Sequence, residues 1–311
     1  ILSGQMNQPS DLAFSSSDAT QLWVVSPPTD SITVIRNPGT DQASVKVIAD
    51  KSDHFLEHVM AISFSDNDTF GTCGDSRNDY NKQAAPNNFM GPVLWPAAMS
   101  AYEGLPSAQM AHGDMLHSSP SCMGIAGAGD NSYFVFNGYD GTIDWYDFGI
   151  PHVPGGTDHS DGIKRRYTEV SVKRLPGVPS NIQYDFFSGW LYVADTGNGR
   201  VLRINVSSAV KGQKPQAFFD DGVLNAYTGA VVQQLSPPGG EQLQWPSGLA
   251  LFGKTLYVGD TATGRVHAWN IDDVTATTGS GAFGTYLRSL ATGLAAKAMG
   301  GMTVGPERRL Y

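Results

Sequence analysis

Five stretches of the chain carry nearly the same text, and a sixth opens in the same way close to Tyr311. The clearest pair runs from Trp245 to Ile271 and from Val178 to Val206. Each reads Pro-Ser, a short apolar run, a turn, Leu-Tyr-Val, Asp-Thr, Gly-Arg-Val and a last alternating run. The first stretch fits the same frame, with Pro9-Ser10-Asp11, then Leu22-Trp23-Val24-Val25, then Ile32-Thr33-Val34-Ile35. Short alternating runs between turn clusters are a strand signal. Self-similarity at a period of roughly 40 to 60 residues, with several strands per unit, is the signature of a β-propeller.

The expected fold is therefore all-β: one propeller domain over residues 1–311, with six blades whose inner strands begin near 9, 59, 122, 179, 246 and 299. The sixth blade is expected to be incomplete. Gly300 to Val304 reads as an inner strand and Gly305-Pro306 as a turn, while Leu310-Tyr311 opens a second strand. Raw sheet edge of this kind invites completion, either by chain beyond Tyr311 or by strand addition from a neighbouring molecule. Three excursions interrupt the repeat, at about 79–119, 149–163 and 220–244. Long loops in a compact domain usually carry function or fold over something.

The 36 glycines and the low charged fraction of 16% suit many strands and tight turns. A net charge of −9 argues against a nucleic-acid partner, whose binding face is basic. The one compact basic run, Lys164-Arg165-Arg166, reads as a solvated strand edge. No apolar run approaches the roughly 18 residues that span a bilayer. The first residue is Ile1, which fits a removed leader or an internal start. Asn67 and Asn205 head Asn-x-Ser/Thr sequons and are the candidate glycosylation sites. The two cysteines, Cys73 and Cys122, fall beside inner strands of neighbouring blades, where a disulfide or two buried thiols would fit. Together these features favour a secreted or cell-surface protein.

The run Asp195-Thr196-Gly197-Asn198-Gly199-Arg200-Val201 and its echo Asp260-Thr261-Ala262-Thr263-Gly264-Arg265-Val266 resemble the NHL-repeat family of propellers. The physical logic of the run stands without the family. The aspartate can tie down the turn through backbone amides, glycine supplies positive φ, and arginine can reach a neighbouring blade. An enzyme of that family, the peptidylglycine α-hydroxyglycine lyase domain, holds zinc with histidines that follow the strand-leading proline. The matching positions here are Ser10, Met60, Met123, Ser180, Ser247 and Gly300, and none is a histidine. A zinc site needs three or four N, S or O ligands, so the lyase chemistry does not carry over. A calcium-dependent propeller of the lactonase type would want converging Glu, Asn and Asp in the channel, and Asp11 and Asn181 are the only such residues at the matching inner-strand positions.

The candidate chemistry lies in the excursions. His112 and His117 precede the third blade, and His152, Asp158, His159 and Asp161 sit within it. Imidazole with carboxylate suits Zn²⁺, Mn²⁺ or Cu²⁺, and carboxylates with carbonyls suit Ca²⁺. The spacing matches no standard metal motif, and the same groups could simply cross-link two long loops. His58, Arg77, Asn78, Tyr80 and Trp95 are candidates for a ligand pocket, although Trp95 fits the loop's own small core as well. No nucleophile elbow, phosphate-binding loop or Cys-His pair is present. The favoured function is a binding or assembly module, contacting protein partners or copies of itself through the loops and the unfinished blade. The alternative is a metal-dependent hydrolase or lyase working over the second and third blades.

Overall fold

A computed structural model describes residues 6–52, 54–66, 68–77, 89–213, 222–240, 242–272 and 281–311. Five antiparallel-cored sheets follow one another along the chain as blades. Blade 1 comprises Asp11–Phe14, Gln21–Ser26, Ser31–Arg36 and Ser44–Ala49. Blade 2 comprises Val59–Phe64, Thr69–Gly74, Val93–Pro96 and Asp114–Met115. Blade 3 begins with Cys122–Gly127, Ser132–Asn137, Thr142–Asp147 and Ile163–Tyr167. Blade 4 is built on Ile182–Asp185, Trp190–Asp195, Arg200–Asn205 and Val231–Leu235. Blade 5 comprises Pro246–Phe252, Thr255–Asp260, Arg265–Asn270 and Thr285–Ala291.

Among the described residues, five blades are formed rather than the expected six. Residues 299–311 contribute only an isolated bridge between Val304 and Leu310, supported by reciprocal bonds between Thr303 and Tyr311. The reason is local. Gly300-Gly301 offers no side chain to pack, and the Gly301 amide donates to Ser10 O of blade 1 at 2.7 Å instead of building its own ladder. A Cβ on Gly300 would stand 2.4 Å from Ser10 O, and one on Gly248 would stand 2.6 Å from Gly300 O. The segment therefore lies between blades 5 and 1, and Tyr311 packs edge-on against Phe14 with ring centroids 5.2 Å apart.

The core lies between blades. Trp23, Ile32, Phe70 and Trp95 fill the space between blades 1 and 2, and Ile182, Leu191, Phe134 and Phe136 that between 3 and 4. Burying side chains of this size contributes roughly 1.5–3 kcal/mol each. Between blades 2 and 3 lie Leu94, Leu116, Ile125, Tyr133 and Phe148, together with the disulfide Cys73–Cys122. The turn aspartates act as their residue type requires. Asp195 accepts from Lys173 N at 2.7 Å, and Asp260 accepts from Gln244 N and Trp245 N at 2.8 and 3.1 Å. Gly199 sits at φ 63°, the left-handed conformation this turn needs. Arg200 donates to Asp195 of its own blade and to Ser171 O in the connection that leaves blade 3, whereas Arg265 donates to Ser289 of its own blade.

A second pattern links the blades from outside. The connection between a blade's third and fourth strands reaches back onto the preceding blade. In blade 2 it bonds to blade 1, where Ser107 Oγ accepts from Lys51 N at 2.9 Å. In blade 3 it bonds to blade 2, where His152 N donates to Gly113 O at 3.0 Å. In blade 4 it contributes Val223–Thr228, parallel to Ile163–Tyr167 of blade 3. In blade 5 it contributes Ala282–Phe283, parallel to Gln234-Leu235 of blade 4. Most of the 149–163 and 220–244 excursions is this lacing, together with outer strands.

Candidate functional site

Inner strands of blades 1 and 4 come together on the channel side of the ring. Asp11 of blade 1 and Asn181 of blade 4 meet there by a side-chain hydrogen bond. Asp11 Oδ2 also accepts from Ile62 N of blade 2 at 3.0 Å, and Asn181 Oδ1 accepts from Leu249 N and Met302 N at 3.3 Å each. This pair satisfies inner-strand amides that point at the axis, a role that needs short polar side chains there. Burial pushes the Asp11 carboxyl up to about 7. Cavities of about 360 and 260 Å³ lie at the two ends of the channel. The serines at the former lyase-type positions are occupied structurally: Ser10 Oγ donates to Met60 O at 2.9 Å, and Ser180 Oγ lies 2.7 Å from Thr196 Oγ1. Among the described residues, the gathered metal-ligating side chains are Asp114, His152 and His159, away from these channel positions.

A larger cavity, about 800 Å³, opens off-axis between the outer parts of blades 2 and 3. One wall comes from the connection 97–113 and the short strand Asp114–Met115, the other from the blade 3 loop around 152–159. Two backbone bonds hold the walls together, His152 N to Gly113 O at 3.0 Å and Gly155 N to His112 O at 3.2 Å. Gly162 lets the loop close down, since a Cβ there would stand 2.5 Å from Leu116 Cδ2. Phe55, Phe89, Met110, Met115 and four imidazoles line the space, with Lys51, Ser52, Gln109 and Thr157 adding polar groups.

The imidazoles are held by ring packing. His112 lies 4.1 Å from Phe55 and 5.0 Å from His152 between ring centroids. His117 lies 4.6 Å from Phe89 and 6.1 Å from His159, and His54 stacks on Phe89 at 5.2 Å. Burial drives the His54 imidazole down to about 4, helped by the nearby His117. Burial also lowers His112, against the bond from its Nδ1 to Gln109 O at 2.5 Å. Both rings are therefore neutral at physiological pH, able to accept as well as donate.

The expected metal residues separate into three groups. His152 and His159 lie close to each other, 5.6 Å between ring centroids, and join Asp114 in a three-residue cluster. His112 and His117 line the cavity beside it. Asp158 and Asp161 brace their own loop: Asp158 accepts from Ser160, and Asp161 accepts from Ile150 N at 2.8 Å. The Ser160 hydroxyl holds the Asp158 carboxyl below its usual range. Of the expected pocket residues, His58 is exposed on a turn, its amide bonded to Asp30 at 2.8 Å. Arg77 stacks over Tyr139 at 4.8 Å, and Trp95 is fully buried in blade 2 with its Nε1 donating to Thr72 at 2.8 Å. Asn78, Tyr80 and Asn67 lie outside the described residues. Asn205 is half-buried at the end of its strand, accepting from Ser207 Oγ at 2.8 Å. Sequence reasoning missed His54, Phe55 and Lys51, which come from the linker between blades 1 and 2. It also left Asp114 out of the ligand set, although this residue lies between His112 and His117.

No protein-family model matches the chain, and no curated protein sequence matches it. Solved structures do resemble it. An auxiliary nutrient binding protein from Bacteroides thetaiotaomicron is 12% identical with a TM-score of 0.58, covering 97% of this chain and 65% of that one. A protein of unknown function from Desulfotomaculum acetoxidans is 13% identical with a TM-score of 0.54, covering 96% and 77%. A nidogen/laminin complex contributes a chain 15% identical with a TM-score of 0.53, covering 95% and 84%. At such identities the likeness establishes the propeller fold and nothing finer.

Proposed function

We propose that the chain is an extracytoplasmic, NHL-type binding propeller that takes a small polar ligand in the cavity between blades 2 and 3. The observation that carries this reading is the 800 Å³ cavity itself, lined by phenyl faces, neutral imidazoles and a few polar groups. Such mixed walls suit a ligand with an apolar face and hydroxyl edges, such as one or two sugar rings. The disulfide Cys73–Cys122 joins the two blades that form the cavity, and such bonds persist in oxidising compartments. The resemblance to auxiliary nutrient binding proteins points to the same class of task. Contacts with protein partners or other copies through the loops and the 299–311 segment would add to this role.

Calorimetric titration with a panel of mono- and disaccharides tests the reading. Binding is expected to be lost in Phe55→Ala and retained in His58→Ala, whose side chain is outside the cavity. Binding that survives both Phe55→Ala and Phe89→Ala contradicts it. A second reading, metal-dependent hydrolysis or elimination, is favoured only by the cluster of Asp114, His152 and His159. Turnover of a bound sugar would support that reading over simple binding.

A further inference from the structure

We propose that Asp114, His152 and His159 form a site for a divalent d-block cation of the zinc type, beside the blade 2–3 cavity. One ligand atom from each residue lies within 4.8 Å of the others. Tetrahedral zinc with bonds of about 2.0–2.2 Å separates its ligands by about 3.3–3.6 Å, so side-chain rotations of about an ångström close the set. The nearest pair, His159 Nδ1 and Asp114 Oδ1, is hydrogen-bonded at 2.6 Å, so binding opens it by about 0.7–1.0 Å and releases the shared proton to solvent.

Two buried polar atoms point to a cation site. Asp114 is fully buried; its Oδ1 accepts from Met115 N at 2.6 Å and meets His159, while its Oδ2 is buried and has no hydrogen-bond partner among the described residues. A buried carboxylate oxygen without a donor is costly, and a bound cation offsets that cost. His152 presents the complementary donor atom. Its Nδ1 bonds to Val153 O at 2.8 Å, so the proton sits on Nδ1 and the lone pair on Nε2. That Nε2 is itself buried and has no partner among the described residues. A metal-binding histidine orients its ring in this way, giving its second N–H to a carbonyl. The ring is closely confined, since a Cβ on Gly156 would stand 2.9 Å from His152 Nδ1.

The donor set selects the ion. Two imidazoles and one carboxylate suit zinc, copper or nickel, whereas calcium takes six to eight oxygens. Three protein ligands leave a fourth position open, and one of the three residues, His159, also lines the cavity. The ion's role toward a ligand rests on the cavity being the binding site; the ion site itself stands on its own three residues.

The test is equilibrium dialysis of chelator-treated protein against Zn²⁺ alone, followed by elemental analysis, for the native chain and for H152A, H159A and H58A. About one ion per chain is expected in the native protein and in H58A, with affinity lower by about tenfold or more in H152A and H159A. Retention of the ion by both H152A and H159A overturns the proposal, as does a native protein that takes up none. Should either variant fail to fold, Co²⁺ substitution of the native protein gives a second reading. Intense visible absorption of low-coordinate cobalt with nitrogen ligands is expected, and the weak spectrum of a hexa-aquo-like ion overturns the site. F55A separates this proposal from the cavity reading. It should keep the ion and lose the sugar. Sugar binding with no ion refutes the metal site alone, and an ion with no sugar refutes the cavity reading alone.

Discussion

His159 Nδ1 stands 2.6 Å from Asp114 Oδ1, joining residues 45 apart in sequence and tying the blade 3 loop to the outer strand of blade 2. Asp114 is fully buried and the histidine side chain mostly so, which sets this contact apart from exposed ion pairs. Removing the ring leaves the carboxylate with fewer donors in a place that water does not reach. His159→Ala should therefore cost about 1.5–3 kcal/mol in urea unfolding without added metal. It should also speed amide exchange across the loop around 150–162. A cost within a few tenths of a kcal/mol of zero would show that this contact does not hold the loop.

The Cys73–Cys122 bond closes a 49-residue separation between blades 2 and 3. Chain-entropy arguments put a cross-link of that span at about 4 kcal/mol, with measured values commonly 2–4. The paired Cys73→Ala, Cys122→Ala variant should lose stability by that order, and reductant should destabilise the native protein while leaving the variant unchanged. Sugar binding should weaken as well, because the two stapled blades carry the cavity walls. Equal response of both proteins to reductant would contradict the role given to the bond.

Asp11 links protonation to the stability of the ring. Its carboxyl sits at about 7 in the folded protein because of burial, against 3.8 in the open chain. A raised folded-state value means that the stabilising contribution of the protonated form is fully present below about pH 4. It is lost as pH rises through about 7, and constant above that. Asp11→Asn keeps the shape and cannot ionise. The stability of Asp11→Asn relative to the native protein should rise between pH 4 and 7, by on the order of 3–4 kcal/mol at most. Urea midpoints across this range measure it. A difference that does not change with pH would mean that Asp11 is not protonated in the fold.

The inner and second strands were legible because their residues recur at matching offsets: Leu191-Tyr192-Val193 and Leu256-Tyr257-Val258 fall in corresponding second strands. Outer strands were harder to read. Ser44–Ala49 and Thr285–Ala291 are largely exposed and follow loops of different length, so neither burial alternation nor spacing marks them. The blade count was overestimated at Gly300-Gly301, where a sequence echo lacks the side chains that would build a sheet. Histidines of the site were visible as a local cluster, but which carboxylate joins them was not. Asp114 and Asp158 look alike in sequence; only the pairing of Asp114–Met115 with Val93-Leu94 buries the former, while Ser160 occupies the latter. His54 and Phe55 lie more than fifty residues before His112, and only the lacing of blade 2 onto blade 1 brings them to the same cavity.

The most direct measurement is hydrogen exchange of the native protein with and without a bound sugar from the panel. Protection is expected in residues 108–117 and 150–162, which form the walls of the blade 2–3 cavity, and around His54 and Phe55. Protection confined to the channel mouth, at Gln8 to Ser10, Gly177 to Pro179 and Lys297 to Gly300, would contradict an off-axis binding site.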